Sequence, residues 1–441
     1  MSEKVEHIRN IALIGHGGAG KTSLAEAMLY DAGVIKRLGS VDEGNSAMDF
    51  EPEELKRRSS ISSGFHQISW KNHTISLIDT PGDQNFFSDT KSCMQAADGV
   101  VVVVDAVDGI KVQTEQAWEF AKEFDLPCVI FINRMDRERA DFNRTFEDAK
   151  VSFDPKPIIL QVPMGSEAEF KGVVDLIRNQ AYGYGTDGKA KKEEIPADLQ
   201  DLVETEREAL IENIAEADDA LVEKYLEGEE LSQEELNAAL RNGTLSHTFV
   251  PVICGSATKN IGIDLLMDFI VTSMPSPADR GPIKGIDPDS GNEIERAPEE
   301  TAPFSAFVVK TLADPYAGRL TIFRVVSGKL GGDGTFYNPN KDSKERFTQL
   351  LSITGKEQKA VTAAGPGAIA AVAKLKETAT GDTLCDSSDK IQYACAEPQL
   401  SLISFAMTAK SKGDEDKVFI SLTKLLEEDP SLKLERVAET K

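Results

Sequence analysis

Residues 8–22 read IRNIALIGHGGAGKT. Residues 8–14 are short and apolar, which predicts a buried strand. It runs into Gly15-His16-Gly17-Gly18-Ala19-Gly20-Lys21-Thr22, matching the spacing Gly, four residues, Gly-Lys-Ser/Thr. A helix follows from about Lys21, with Leu24, Ala27 and Met28 on one face. Glycines let backbone N–H groups approach phosphate oxygens, and a helix N-terminus favours an anion. In this arrangement Lys21 reaches the β- and γ-phosphates of a nucleotide and the Thr22 hydroxyl binds Mg²⁺.

Working outward, apolar alternation predicts a strand over 69–78, and continuous apolar runs predict strands over 100–104 and 128–132. Residues 112–124 have helical period and contain no Gly or Pro. This strand–helix rhythm predicts an α/β domain built on a doubly wound, mostly parallel sheet. Ligands of such sheets sit beyond the C-terminal strand ends, and each remaining motif falls at such an end.

Asp79-Thr80-Pro81-Gly82 ends one strand. Asp79 is expected to hold Mg²⁺ through water, and the Gly82 N–H to meet the γ-phosphate. Asn133-Arg134-Met135-Asp136 ends another. The Asp136 carboxylate can accept hydrogen bonds from guanine N1 and its 2-amino group. Adenine lacks that donor pair and would leave the acceptor unmatched. Gly255-Ser256-Ala257, after a strand at 249–254, offers N–H groups to guanine O6. The two motifs together point to guanine.

Residues 158–247 interrupt the rhythm. Strands are expected at 157–163 and 171–177, then helices at about 197–216 and 217–226 and a shorter one near 234–240. The sheet pattern resumes at 249–254, followed by a helix at 263–273. The expected organisation is a nucleotide-binding domain of 1–157 plus 248–280, with an inserted α+β subdomain at 158–247. Short strands at 304–310, 320–327, 335–338, 347–352 and 368–375, separated by Gly, Asp and Pro turns, predict an antiparallel β-barrel over 281–398. The tail, 399–441, reads strand, helix (416–427), strand, which cannot close a core alone.

Composition narrows the class. The 441 residues are too many for one core. Lys and Arg number 49 against 74 Asp and Glu, a net charge of −25, which argues against a protein that coats nucleic acid. Residues 195–240 hold fifteen of those acids and two bases, so the remaining surface can still meet RNA locally. No apolar run approaches the roughly 20 residues of a membrane span. The start, MSEKVEHIRN, has no signal-peptide core. Five scattered cysteines lack metal or disulfide spacing. The expectation is a cytoplasmic protein without membrane contact.

These residues carry a resemblance. GHGGAGKTSL, DTPG, FINRMDR and CGSATKNIGIDLLMDFIVTSMPSP, with DALVEKYLEGEELSQEELNAALRNGT, ADPYAGRLTIFRVVSGKL, KETATGDTL and LLEEDPSLKLER, run in order along nearly the whole chain. The sequence resembles bacterial elongation factor G, a translational GTPase. The resemblance implies a GTPase domain with its insert, a barrel second domain and the start of a ferredoxin-like third. It implies GTP and GDP as ligands, Mg²⁺ held by Thr22, Ser60 and Asp79, and hydrolysis of GTP to GDP and phosphate on the ribosome, driving translocation in the full-length protein. It also implies contacts with ribosomal RNA and, through the insert, with the large-subunit stalk protein, and a monomer off the ribosome. Nucleotide contacts would come from residues 15–22, Asp79, Asn133, Arg134, Asp136, Ser256 and Ala257.

Several positions depart from that family. Its DTPGH has a catalytic His where this chain has Asp83. Its P-loop reads His-Ile-Asp-Ala-Gly, against His16-Gly17-Gly18-Ala19-Gly20 here. Its Arg-Gly-Ile-Thr-Ile aligns with Arg57-Arg58-Ser59-Ser60-Ile61, so Ser60 keeps the Mg²⁺ hydroxyl and Ser59 replaces an apolar gate residue. Arg134 replaces Lys and keeps charge but not shape. The catalytic set becomes Lys21, Gly82 and, in the His position, Asp83. The loss of an acid at Gly18 and gain of one at Asp83 fit a swap that keeps one carboxylate for a monovalent cation. Two readings stay open: a working GTPase, and a ribosome-binding, GTP-dependent module with little or no hydrolysis, a recycling or ribosome-protection paralogue included.

Overall fold

The computed structural model describes residues 4–185, 188–217, 219–314, 318–398, 403–411 and 413–435. The chain divides into two compact units. One comprises His7–Gln84 and Ala97–Ser276; the other comprises Met1–Glu6, Asn85–Ala96 and Pro277–Lys441.

In the first unit, β1 (Ile8–Ile14) leads into α1 (Lys21–Asp31) and α2 (Pro52–Arg57). Then come β2 (Gly64–Trp70) and β3 (His73–Asp79). The next helix, α3 (Phe87–Met94), belongs to the second unit. Strand β4 (Gly99–Asp105), α4 (Val112–Glu123), β5 (Cys128–Asn133) and α5 (Phe142–Ser152) continue the rhythm. A short β6 (Pro157–Ile159) precedes the insert, which contains β7 (Gln161–Met164), β8 (Gly172–Asp175), β9 (Gln180–Tyr184) and β10 (Ala190–Glu193). Its helices are α6 (Gln200–Ala215), α7 (Asp219–Leu226) and α8 (Gln233–Leu245), and the sheet resumes with β11 (Val250–Cys254) and α9 (Ile263–Ser273).

The main sheet has the order β2-β3-β1-β4-β5-β11-β6. All its pairings are parallel except β2 with β3. The doubly wound, mostly parallel α/β sheet is therefore as expected. Strands β1, β4 and β5 are buried along their whole length, which matches their unbroken apolar runs. Ile11, Leu13, Val101, Val103, Val129 and Phe131 share one core, each worth about 1.5–3 kcal/mol of burial.

In this unit two expected strands divide. The expected strand at 69–78 is a hairpin, because Lys71 and Asn72 take φ of 45° and 63° and turn the chain between β2 and β3. Two adjacent residues at positive φ are the signature of a tight hairpin turn, here built without glycine. The expected strand at 157–163 splits at Leu160. Its N–H donates to Val252 O at 2.9 Å, while its carbonyl accepts from Leu176 N at 3.0 Å. Pro157–Ile159 joins the main sheet, and Gln161–Met164 joins a four-stranded antiparallel sheet ordered β10-β9-β8-β7. The insert is not a separate core. Leu160, Val162, Val174, Val203, Leu210 and Ile214 belong to the same buried cluster as β1 and α1.

In the second unit, an eight-stranded antiparallel sheet forms a half-barrel around Val308, Phe323, Phe336, Phe347 and Leu350. The expected strand at 347–352 crosses a turn: Ser343–Phe347 and Leu350–Thr354 are separate strands, because residues 348 and 349 leave the ladder. Helix α3 lies in this unit. Asp89 pairs with buried Lys310 at 2.5 Å, Arg324 Nη1 donates to Ala96 O at 3.1 Å, and Gln95 Nε2 donates to Ala394 O at 2.7 Å. In the tail, the expected helix is present as Glu415–Glu428, and residues 403–411 and 429–435, where the expected strands would run, carry no strand. The remaining strand positions, 399–402 and 436–441, lie outside the described residues.

Candidate functional site

Four site segments of the first unit start at the C-terminal ends of main-sheet strands, after β1, β3, β5 and β11, and a fifth lies between α1 and β2. After β1 the chain turns through the glycine loop into α1. Gly20 has φ of 94°, and a Cβ there would lie 2.4 Å from Asn133 Nδ2. The residue must be glycine because the loop and the guanine motif meet at that point. Asn133 then ties three segments together. Its Nδ2 donates to Ala19 O at 3.0 Å, and its Oδ1 accepts from Arg134 N at 2.8 Å and Ala257 N at 3.0 Å. Ser256 Oγ donates to Asp136 Oδ1 at 2.6 Å and aims that carboxylate. The P-loop, the Asn133–Asp136 motif and the Gly255–Ala257 motif thus form one constellation.

Lys21 is buried, and its Nζ donates to Gly15 O at 2.9 Å and His16 O at 3.1 Å. A Cβ on Gly82 would lie 2.3 Å from that Nζ and 2.5 Å from Gly17 N. The Asp79–Gly82 loop is therefore pressed against the P-loop. Burial lowers the Lys21 pKa and raises that of Asp79, whose carboxyl is raised further by Asp49.

The segment between α1 and β2 is held by two buried glutamates. Glu26 Oε1 accepts from Ser46 Oγ and from the N–H groups of Ala47 and Met48. Glu54 Oε1 accepts from Ile61 N and Ser62 N. These bonds fold the segment over the loop, so Ser60 Oγ stands 3.1 Å from Thr22 Oγ1. Asp49 is drawn in beside them, and burial raises its pKa. No motif in the sequence singles out Asp49, Glu26 or Glu54. Their positions follow from contacts with residues up to 22 apart, which local spacing does not encode.

The residues fit Mg²⁺. Asp79 Oδ1 and Asp49 Oδ2 are buried without a hydrogen-bond partner among the described residues, next to the paired Thr22 and Ser60 hydroxyls. A hard, all-oxygen donor set of this kind suits Mg²⁺.

A cavity of about 400 Å³ opens over these groups. Gly17, Gly18, Gly20, Lys21, Thr22 and Ser60 line it, with Gly82, Arg134 and Ala257. Arg134 is held by Asp105, Nη1 to Oδ2 at 2.6 Å. The His16 side chain turns away from the cavity's lining. Its Nδ1 lies 3.0 Å from Thr114 Oγ1, and burial, with Lys111 and Lys21, pushes its pKa down to about 4. Only its backbone is available to a ligand at the loop. Asp83 is partly exposed, one residue beyond the tight Gly82 contact.

The glycine loop held to Asn133, and Asn133 held to the Gly255–Ala257 segment, at the strand ends of this sheet define a P-loop nucleotide-binding protein. Residues 6–276 match the family model for the elongation factor Tu GTP binding domain, 303–387 that for elongation factor G domain 2, and 399–441 that for elongation factor G domain III. The chain belongs to the GTP-binding elongation factor family, as an elongation factor G-type member. It is 39% identical to an elongation factor G of Ureaplasma parvum over 440 residues, covering 98% of this chain and 63% of that protein. An elongation factor G 2 of Syntrophus aciditrophicus is 40% identical, covering 99% of this chain and 65% of that protein. A crystal structure of a Thermus thermophilus protein superposes with a TM-score of 0.83 at 30% identity, covering 99% of this chain and 63% of the other. The chain thus spans under two thirds of the length of these relatives.

Proposed function

We propose that this chain binds GTP and GDP with Mg²⁺ and hydrolyses GTP to GDP and phosphate on the ribosome, a reaction that drives translocation in the full-length protein. The observation that carries the reading is the Ser256–Asp136 bond at 2.6 Å, between residues whose chain neighbours Ala257 and Arg137 line the same cavity as Thr22 and Ser60. Guanine selection and triphosphate handling are thereby available in one site. Thr22, Ser60 and Asp79 would hold Mg²⁺, which when bound neutralises charge on the phosphate oxygens. Lys21, Gly82 N–H and the P-loop N–H groups orient the γ-phosphate for in-line attack by water. Asp136, Ser256, Ala257 and Arg134 seat the base.

Partners follow from the same reading. Ribosomal RNA meets the half-barrel and the nucleotide-binding domain. The acidic insert meets the stalk protein of the large subunit, and the chain is a cytoplasmic monomer when free. No described helix is long and apolar enough to cross a membrane. The proposed division is 1–157 with 248–280, 158–247, 281–398 and 399–441. Gly18 has open space around it, and Gly17 would place a Cβ 3.8 Å from Asp83 N, so the two loops face each other. This supports Asp83 as the carboxylate for a monovalent cation. K⁺-dependent nucleotide affinity that disappears in Asp83→Ala would bear that out.

A second reading rests on Asp83 itself, which stands where the family has its catalytic His. A carboxylate about 5 Å from a phosphate charge, at an effective dielectric near 20, costs about 3 kcal/mol. On this reading the chain is a GTP-dependent ribosome-binding module with slow hydrolysis. Phosphate release with and without ribosomes, measured for the parent and Asp83→His, separates the two. Ribosome-stimulated release by the parent supports the enzyme; release by Asp83→His alone supports the module.

A further inference from the structure

We propose that Arg58 is a catalytic arginine supplied in cis, whose guanidinium stabilises the charge that develops on the β–γ bridging oxygen during GTP hydrolysis. The inference rests on the hydrolytic reading above and names a residue for it.

Five cationic side chains line the cavity: Lys21, Arg37, Arg58, Arg134 and Arg137. Three of them are committed. Lys21 donates to two loop carbonyls, Arg37 pairs with Glu43 at 3.2 Å, and Arg134 pairs with Asp105 at 2.6 Å. The side chains of Arg58 and Arg137 make no hydrogen bond or ion pair with a described residue. Arg137 directly follows Asp136, at the base end. Arg58 is two residues from Ser60, whose hydroxyl is 3.1 Å from Thr22 Oγ1, at the phosphate end. Of the unpaired cations, Arg58 is the one whose anchor lies by the phosphates.

The backbone at Arg58 points the same way. It caps α2 in the left-handed conformation, φ 55° and ψ 44°, with its N–H donating to Glu54 O. That helix-ending position favours glycine, since a Cβ is strained there. A long cationic side chain kept in a strained conformation beside a ligand cavity is a mark of function. Its neighbour Arg57 differs in every respect: it lies on α2, outside the cavity lining, with Nε bonded to Glu53 Oε1 at 2.9 Å.

The chemistry asks for such a group. The oxygen of water forms a new bond to the γ-phosphorus. The bond from that phosphorus to the β–γ bridging oxygen breaks, and its electron pair leaves on GDP. The protons of water pass to phosphate and solvent. Negative charge grows on the bridging oxygen, and a guanidinium placed there lowers the barrier without moving a proton. With Asp83 in the position of the family's His, the site otherwise gains an acid where it needs a cation.

The test compares the parent with Arg58→Ala, Arg58→Gly, Arg58→Lys and Arg57→Ala. Each is assayed for single-turnover GTP hydrolysis with and without ribosomes, GDP affinity, and trapping of aluminium fluoride with GDP as a transition-state mimic. Arg58→Gly relieves the backbone, so a folding defect cannot explain its loss. The expected result is hydrolysis on the order of 100-fold slower or worse in Arg58→Ala and Arg58→Gly. Arg58→Lys recovers part of the rate, GDP affinity stays within about threefold, fluoride trapping is lost, and Arg57→Ala matches the parent. Arg58→Gly hydrolysing or trapping like the parent overturns the role of Arg58 and leaves the GTPase reading standing. So does a fall in GDP affinity as large as the fall in rate, which would make Arg58 a ground-state phosphate contact. A parent that neither hydrolyses GTP nor traps fluoride overturns the GTPase reading, and Arg58 with it.

Discussion

The hydroxyls of Thr22 and Ser60 stand 3.1 Å apart although 38 residues separate them in the chain. One begins α1 and the other lies in the segment that Glu54 folds over the loop. On the proposed function, Thr22 serves either nucleotide and Ser60 only the triphosphate. Thr22→Ala is predicted to weaken Mg²⁺-dependent binding of GTP and GDP alike. Ser60→Ala is predicted to weaken GTP by about tenfold while leaving GDP nearly unchanged. Nucleotide titrations at several Mg²⁺ concentrations read the difference, and equal losses for both nucleotides in Ser60→Ala would contradict it.

Gly82 is the second contact under pressure. A methyl group there would overlap Lys21 Nζ and Gly17 N, at 2.3 and 2.5 Å. Gly82→Ala is predicted to push the Asp79 loop off the P-loop. The expected outcome is a folded protein with GDP affinity within about tenfold of the parent and GTP hydrolysis lost. Stopped-flow phosphate release, with circular dichroism as the folding control, checks it.

Asn133 satisfies groups in three segments at once. Asn133→Ala leaves Ala19 O and Ala257 N without their partner. Each buried group left unpaired costs about 1–3 kcal/mol. The variant is predicted to lose stability by that order and to lose GDP affinity at least tenfold, because the base and phosphate segments are no longer fixed to each other. Chemical denaturation gives the first quantity and calorimetry the second.

The pH dependence has a defined sign at His16. Its folded pKa is about 4, below the ordinary 6.5, mainly because burial penalises the imidazolium. The unfolded chain therefore binds more protons between those values, and stability falls as pH falls through that window. Above pH 6.5 the group contributes no pH dependence. His16→Asn, which can still bond Thr114, is predicted to flatten the fall in unfolding free energy between pH 7 and pH 5 by about 2 kcal/mol, read as a smaller fall in Tm. A parallel fall in both proteins would contradict the assignment.

Much of this site was legible in the sequence because its motifs sit at strand ends and use residue types with narrow roles. The run 15–22, Asp79–Gly82, Asn133–Asp136 and Gly255–Ala257 needed only local spacing. The fold of the first unit was legible for the same reason, as unbroken apolar strands alternating with helices. What escaped was set by distant contacts. Asp49 reaches the cavity because Glu26 and Glu54 tie down a segment with no hydrophobic period. The β2–β3 hairpin was hidden by a Lys71-Asn72 turn without glycine, in a run whose apolar alternation continues through the bend. Leu160 bonds to Val252 of the main sheet and to Leu176 just beyond β8, so one apolar run serves two layers. The grouping of α3 with the half-barrel depends on Asp89–Lys310 and Arg324–Ala96, pairs more than 200 residues apart.

A calorimetric titration of the chain with GDP and with ADP in Mg²⁺ buffer tests the proposed guanine-nucleotide site around Asp136. GDP is predicted to bind at one site and ADP at least 100-fold more weakly, with the discrimination lost in Asp136→Ala. Comparable binding of ADP and GDP by the parent would contradict it.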